Sequence, residues 1–199
     1  MQITPLSVPG AWLCSPKIFP DDRGSFREWF RGDLLAAETG RRFEVVQANH
    51  SVSKRDVVRG VHYADVPPGQ AKLVYCAAGS ALDLVVDLRV GSPTFGAVET
   101  VHLDSAGGAA VFLSEGLGHA FRALEDATAI AYLLSTPYDP AREHAVSPAD
   151  PTFAALDAPP GSFRLSPRDA AAPGVAAAAE MGILPSYESC LTRYDELRS

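Results

Sequence analysis

Residues 71–90 read AKLVYCAAGSALDLVVDLRV, two successive apolar runs, the first of which ends at the pair Gly79-Ser80. Both runs are rich in Val and Leu, and the first carries Tyr75 as well; such residues favour β-strands. Glycine and serine are turn formers that interrupt runs of this kind. The stretch therefore predicts two consecutive strands, AKLVYCAAGS and ALDLVVDLRV.

The same pattern extends over residues 43–135. Further strands are predicted at FEVVQANHSV, DVVRGVHY, GAVETVHL, AAVFLS, HAFRAL and TAIAYLLS. The segments between them, such as VPPGQ, VGSPTFG and DSAGG, are typical of turns. Short strands at regular spacing indicate a β-sandwich or barrel of jelly-roll type.

Helical signals lie nearer the ends of the chain. RGDLLAAETG predicts a short helix that ends at Gly40. In the C-terminal part, PGVAAAAEMG predicts a helix closed by glycine, and CLTRYDELR predicts a last one. We therefore predict one domain over residues 1–199, mainly β, with a few short helices near its ends and a helical appendage at about 166–199.

The bulk properties exclude several classes of protein. A net charge of −7 gives the chain no global attraction for nucleic acid or for an anionic membrane. The N-terminus resembles no signal peptide, and no apolar run is long enough to span a bilayer. The three cysteines are far apart and form no C-x-x-C pair, which favours a reduced, cytoplasmic protein.

The stretch RGVHYADVPPGQAK places three cationic or titratable side chains, Arg59, His62 and Lys72, around a turn. It is either a solvated hairpin with incidental charges or a set of groups aimed at one anionic ligand. Burying such groups is costly unless an anion meets them. Arg59 and His62 are three residues apart, so a regular strand puts them on opposite faces. Gly60 would permit the bulge that brings them together.

Other polar residues lie inside or beside apolar runs. Gln47 and Asn49 share one strand face by alternation, and His119 and Tyr132 interrupt later runs. Each has an ordinary structural alternative, such as a surface ion pair for Arg59 or an edge position for a strand histidine. Position by position, the pattern leaves these alternatives open.

Two other kinds of chemistry receive little support. A metal-dependent cupin usually carries an H-x-H pair followed by a carboxylate, whereas Gly60 and Ala64 flank His62 and the other histidines are dispersed. The chain also lacks the nucleophile elbow G-x-S-x-G and the nucleotide-binding glycine fingerprints. We expect neither a metal nor a cofactor.

Seven segments in order resemble one family. They are FPDDRGSFREWF, FEVVQANHSVS, VVRGVHYADVPPGQAKLVYCAAG, DLVVDLRVGSPTFG, SEGLGHAF, AYLLSTPYDPAREHAV and SPRDAAAP. Over residues 19–173 the chain is similar to the dTDP-4-dehydrorhamnose 3,5-epimerase family, cupin-fold enzymes that act on dTDP-4-keto-6-deoxy sugars. The resemblance implies a cupin-like jelly roll.

The resemblance implies a catalytic set of four residues. His62 would be the base that removes a proton next to the C4 ketone, and Asp169 would orient it. Lys72 would face the C4 oxygen and stabilise the enolate. Tyr132 would be the acid that returns a proton from the opposite face.

The resemblance also implies a set of substrate-binding residues. They are Arg23, Phe26, Glu28, Gln47, Asn49, Arg59, His119, Tyr138 and Glu143. By this transfer the two arginines bind the diphosphate, Tyr138 stacks on thymine, and Glu143 lies near the base. Family members are dimers with an exchanged N-terminal segment, so Arg23, Phe26 and Glu28 are expected to serve the partner's site.

Departures from the family pattern bear on the reaction. HAVSPADP lacks the tryptophan that rhamnose-pathway members often carry, and TFAALDAPP lacks the following W-P pair. This variant resembles enzymes of antibiotic deoxysugar pathways, some of which invert C3 and C5 and others only C3. We predict a 3,5-epimerase of dTDP-4-keto-6-deoxy-D-glucose. The alternatives are a C3-only epimerase and, more distantly, a metal-dependent cupin or a non-catalytic nucleotide-sugar binding protein.

Overall fold

Two antiparallel sheets form the body of the computed structural model, which describes residues 1–156 and 162–198. The first sheet contains, in spatial order, β1 (Gln2–Pro5), β2 (Ala11–Ser15), β10 (Ala110–Leu113), β7 (Lys72–Ala78), β12 (Thr128–Leu134) and β5 (Gln47–Ser53). The second contains β13 (Glu143–Ala145), β6 (Val58–Ala64), β11 (Leu117–Ala123), β8 (Ser80–Asp87) and β9 (Val98–Asp104). A separate hairpin pairs β3 (Ile18–Asp21) with β4 (Gly24–Arg27).

The core lies between the two sheets. One buried cluster joins Val74 and Ile130 of the first sheet to Val85, Leu103 and Phe121 of the second. Burying such side chains is the dominant favourable contribution to folding. The predicted mainly β, jelly-roll-type sandwich is confirmed, and its sheets are open at their edges rather than closed into a barrel.

The stretch 71–90 forms both predicted strands, and it also joins the two sheets. β7 lies in the first sheet and β8 in the second. Between them Gly79 has a φ of +71°, and a Cβ there would lie 2.8 Å from Thr128 Oγ1. Glycine therefore allows the chain to cross from one sheet to the other at this point.

The four α-helices are α1 (Gly32–Thr39), α2 (Pro167–Ala170), α3 (Val175–Glu180) and α4 (Tyr187–Glu196). Three of them lie where the sequence predicts them, one with a shifted boundary, and the short α2 was not predicted. Gly40 ends α1 in the left-handed conformation, as predicted. The last helix begins before the predicted CLTRYDELR because the Ser186 side chain accepts a hydrogen bond from the Ser189 amide and caps it. No helix among the described residues is both long and apolar enough to cross a membrane.

The sequence pattern missed the strands of the first 27 residues. β1 and β2 are four and five residues long, and β2 pairs with β10, nearly a hundred positions away. A strand of four or five residues shows little alternation of apolar and polar residues, and the neighbouring sequence does not reveal a strand partner this distant. Residues 157–161, which hold part of the segment where the family's W-P pair is missing, lie outside the described residues.

Candidate active site

A cavity of about 490 Å³ collects most of the predicted site residues. Its walls include Asn49, Arg59, His62, Lys72, His119, Tyr132, Tyr138 and Glu143. These side chains come from β5, β6, β7, β11, β12 and β13 and from the loop after β12. The cavity is within the range of about 300–1,000 Å³ that small-molecule sites occupy.

Gly60 makes the strand irregular, as predicted. β6 pairs with β11 through His62 opposite His119 and Arg59 opposite Phe121, so the register shifts between the two pairs. Gly60 has a φ of +110°, a conformation that side chains rarely adopt. The irregularity allows Arg59 and His62 to line one cavity despite their odd spacing.

His62 is held by Asp169. Its Nε2 lies 2.7 Å from Asp169 Oδ1, which leaves Nδ1 to accept a proton. Burial opposes ionisation of Asp169, but the hydrogen bonds and charge of His62, with Ser166 and the Gly60 amide, outweigh it and lower the pKa of the carboxyl. Asp169 is therefore an anion that fixes the orientation of the ring.

Lys72 is a buried cation, with only 7% of its surface exposed. Burial lowers the pKa of its ammonium; the charge of Glu143 acts against this and that of Arg168 adds to it. Among the described residues the ammonium has no hydrogen bond and no ion pair. Its charge is available to a ligand in the cavity.

Tyr132 belongs to a second group of polar side chains, which also contains Ser51, His119 and Asp83. Its hydroxyl lies 3.5 Å from Ser51 Oγ, and its ring meets that of His119 edge-on at 6.1 Å. His119 Nε2 lies 2.7 Å from Oδ2 of the fully buried Asp83. Burial raises the pKa of Tyr132, the Ser51 hydrogen bond opposes the rise, and the charge of Asp83 adds to it. The phenol therefore keeps its proton at neutral pH, as an acid must.

The residues that could hold a metal do not converge. Among residues 1–156 and 162–198, no group of three or more His, Cys, Asp or Glu side chains comes together in a suitable arrangement.

Comparison with known proteins decides the family. The model of the family described as dTDP-4-dehydrorhamnose 3,5-epimerase matches residues 5–177. The chain belongs to this epimerase family. Its members are isomerases, and the fold and the motif-derived resemblance agree with the match.

Two relatives by sequence carry different reaction names. A dTDP-4-dehydrorhamnose 3-epimerase of Streptomyces niveus is 50% identical over 96% of this chain and 91% of its own length. A dTDP-4-dehydrorhamnose 3,5-epimerase of Mycolicibacterium smegmatis is 46% identical over 100% of this chain and 98% of its own. The family resemblance therefore covers both single and double epimerases.

Two solved structures of epimerases superpose closely on the chain. A 4-keto-6-deoxy sugar epimerase from the novobiocin biosynthetic gene cluster of Streptomyces spheroides superposes with a TM-score of 0.92 at 49% identity, covering 96% of this chain and 95% of that one. The epimerase of Mycobacterium tuberculosis superposes with a TM-score of 0.94 at 43% identity, covering all of both chains.

Four predicted binding residues do not line the cavity of the epimerase chain. Gln47 holds two residues that do: its side-chain amide donates to Asn49 Oδ1 at 2.8 Å and accepts from the Tyr138 backbone amide at 2.9 Å. Arg23 pairs with Asp21 on the hairpin, and its side chain is 84% exposed. Phe26 and Glu28 are exposed as well. Within one chain, Gln47 contacts two residues of the cavity lining, whereas Arg23, Phe26 and Glu28 are not part of that lining.

Three residues of the site were not among those predicted. Ser51 lines the cavity beside Tyr132, and its place two residues after Asn49 on one strand face could have revealed it. Arg168 also lines the cavity and donates to the Tyr138 hydroxyl and the Glu143 carbonyl. Asp83 lies beneath His119, and a lone carboxylate inside the run ALDLVV was the available signal.

Proposed function

We propose that this family member is a cofactor-independent epimerase that inverts C3 and C5 of dTDP-4-keto-6-deoxy-D-glucose. The observation that carries the proposal is the meeting of three groups in one cavity: the His62–Asp169 pair, the phenol of Tyr132 and the buried ammonium of Lys72. Together they provide a base, an acid and a cation, the groups that a proton transfer next to a ketone requires.

The cation answers the main energetic difficulty. A proton next to a ketone is a weaker acid than imidazolium by about ten pKa units or more, equivalent to about 14 kcal/mol. His62 cannot remove it unless the developing enolate is stabilised. The ammonium of Lys72 lies in a poorly hydrated wall of the cavity. Its attraction for the negative charge that develops on the enolate oxygen is strong there, because little water screens it.

The positions of the acid and the base support inversion. His62 belongs to β6 of the second sheet, whereas Tyr132 belongs to β12 of the first, and both line the same cavity. A sugar bound between them has His62 on one face and Tyr132 on the other. Removal of a proton by the one and delivery by the other inverts the carbon.

A C3-only epimerase is the second candidate, because several relatives are named as 3-epimerases. A double variant of a 3′-monoepimerase from Streptomyces bikiniensis, with a histidine and a tyrosine replaced, was solved in complex with dTDP. The 3′-monoepimerase was also solved in complex with dTDP-quinovose. An enzyme named as a C3-only epimerase thus also has a histidine and a tyrosine that were chosen for substitution. The pair His62 and Tyr132 does not choose between the two reactions.

The proposal includes a homodimer in which the N-terminal hairpin serves the partner's site. β3 and β4 pair only with each other among the described strands. On this hairpin the rings of Phe19 and Phe26 lie 6.4 Å apart in a tilted arrangement, with exposures of 45% and 65%. An exposed aromatic pair of this kind is typical of an interaction surface. A cytoplasmic location and a single domain over residues 1–199 stay predictions from the sequence.

His62→Ala tests the proposed base. We expect kcat to fall by about 10²- to 10⁴-fold, since a general base is lost, while dTDP still binds. Turnover of the dTDP-4-keto sugar and calorimetric titration with dTDP measure the two effects. His102→Ala, which removes an exposed histidine of β9, is the matched control and should keep full activity. Near-normal activity of His62→Ala would rule out its role as the base.

A further inference from the structure

The hydroxyl of Tyr132 has one hydrogen-bond partner in the part of the chain that the structure describes, and that partner is Ser51. The two oxygens lie 3.5 Å apart, and either atom can be the donor. This bond is long, but hydrogen bonds in a free active site often shorten when the substrate binds. The proposed epimerisation gives Tyr132 a role and so far gives Ser51 none.

The pairing of β5 with β12 places Ser51 beside Tyr132. Ser51 lies opposite Ile130, and Tyr132 lies opposite Asn49. Ser51 and Tyr132 are therefore diagonal neighbours on one face of the sheet, a separation that an aromatic side chain can bridge. Both side chains line the cavity. The register of two strands, rather than a loop, thus fixes the contact between the two hydroxyls.

Ser51 also lies where a proton can enter from the solvent. β5 is at the edge of the first sheet, and no described strand pairs with its outer side. Ser51 is partly exposed, and its two neighbours along the strand are exposed. His119, by contrast, is buried and meets the ring of Tyr132 edge-on rather than its hydroxyl. Ser51 therefore contacts both the phenol and the solvent.

Each inversion leaves two groups that must be reset. His62 becomes an imidazolium when it removes a proton, and Tyr132 becomes a phenolate when it delivers one. The sugar lies between the two groups, so the phenolate cannot recover its proton directly from His62. A bound sugar also displaces water from the cavity. The phenolate therefore needs a proton from a side chain on its own side of the sugar.

We propose that Ser51 positions the Tyr132 hydroxyl and relays a proton to it after each delivery to the sugar. The inference rests on the proposed function, in which Tyr132 is the acid. The Ser51 hydroxyl gives its proton to the phenolate oxygen and takes one from a water molecule at the edge of β5 in the same step. The O–H bonds of both residues are thereby restored. The hydroxide left at the edge is neutralised by the proton that His62 releases to the solvent.

Ser51→Ala tests the inference by separating the two halves of an inversion. NMR in deuterated water follows the entry of deuterium into dTDP-4-keto-6-deoxyglucose and the inversion of its carbons. We expect inversion to slow about 10- to 100-fold, the loss expected for a hydrogen bond to a charged group. Deuterium should still enter uninverted sugar, because His62 can return a deuteron to the face from which it took the proton. KM should change little.

Two single variants serve as controls. Ser51→Thr keeps the hydroxyl on a residue that suits a strand, and it should restore most of the rate of inversion. Ser189→Ala removes a serine hydroxyl from α4, outside the cavity, and should invert the sugar at the wild-type rate. Titration calorimetry with dTDP shows whether each variant still binds the nucleotide.

Tyr132→Phe provides a background in which Ser51 has no hydroxyl to serve. If Ser51 acts through Tyr132, adding Ser51→Ala to Tyr132→Phe should not further lower the remaining exchange of deuterium into uninverted sugar. If Ser51 acts elsewhere in the cavity, the double variant should lose exchange beyond Tyr132→Phe alone.

The outcomes separate this inference from the proposed function. Wild-type inversion by Ser51→Ala overturns the relay. So does loss of dTDP binding, an equal loss of exchange and inversion, or a further loss in the double variant, since each indicates a role other than serving Tyr132. All of these leave the epimerase proposal standing. A wild-type protein that neither exchanges nor inverts the sugar overturns the proposed function, and the inference falls with it.

Discussion

Lys72 is the residue on which the proposed chemistry depends most. It is one of three lysines in the chain, and the other two, Lys17 and Lys54, lie at the surface. Burial in the cavity wall lowers the pKa of its ammonium, and the charge of Glu143 acts against this. The same feature makes the lysine sensitive to pH.

The lowered pKa of Lys72 predicts an alkaline limit on activity. Deprotonation begins below the ordinary lysine value of 10.5, so kcat/KM should fall as pH rises through the lowered pKa, when the cation is lost. Lys72→Arg keeps its charge and should move this limb to higher pH, with lower activity at neutral pH. A pH–rate profile of both proteins measures the effect. An identical alkaline limb in the variant would contradict the assignment.

At the residue scale, the sequence located most of the site through local motifs. His62, Lys72 and Tyr132 are carried by family-like segments, and the structure brings them into one cavity. Asp83 was missed because its surroundings are made by distant parts of the chain. His119 meets Asp83 across 36 positions.

At the scale of elements, the β6–β11 pair is the most constrained part of the site. At Gly60 the two strands approach so closely that an added Cβ would meet the His119 carbonyl oxygen and lie 2.9 Å from Ala120 Cα. These are backbone atoms, so no side-chain rotation relieves the contact. The pair carries two of the three histidines that line the cavity, His62 and His119.

Gly60→Ala should therefore damage stability and activity together. We expect the free energy of unfolding to fall by about 1–3 kcal/mol from overpacking alone, and kcat/KM to fall as His62 is displaced. Urea denaturation and steady-state kinetics measure the two effects. Gly40→Ala is the matched control: its φ is also positive at +73°, but nothing lies within 4 Å of the added Cβ. Equal effects of the two substitutions would show that the close approach at Gly60 is unimportant.

Local sequence patterns predicted some strands and missed others. The strands of residues 43–135 were predicted because alternating and continuous apolar runs are local features. β1 to β4 were not, since they are short and their stability comes from pairing and packing rather than from propensity. The start of β5 was placed too early: Phe43 packs with Leu35 and Phe112 instead of entering the strand.

At the scale of the whole molecule, the proposed exchange of the hairpin predicts that each site depends on two chains. Mixing two inactive variants tests this directly. His62→Ala damages the base, and Arg23→Glu reverses the charge of the hairpin arginine. In an exchanged dimer, one site of each mixed dimer combines an intact His62 with the partner's intact Arg23.

After unfolding and refolding together, the mixture should regain roughly a quarter of the wild-type sites, because half of the dimers are mixed and each has one intact site. Activity of the refolded mixture, compared with each variant refolded alone, is the measurement. Activity no greater than the sum of the separate variants would show that Arg23 serves its own chain or neither site.

The central claim is that His62 and Tyr132 exchange protons at carbons next to the C4 ketone. Incubating the protein with dTDP-4-keto-6-deoxyglucose in deuterated water, followed by NMR of the sugar, measures this directly. We predict deuterium at both C3 and C5, with inversion at each carbon. Deuterium at C3 alone would contradict the 3,5-assignment and support the C3-only epimerase. Deuterium at neither carbon would contradict the epimerase account as a whole.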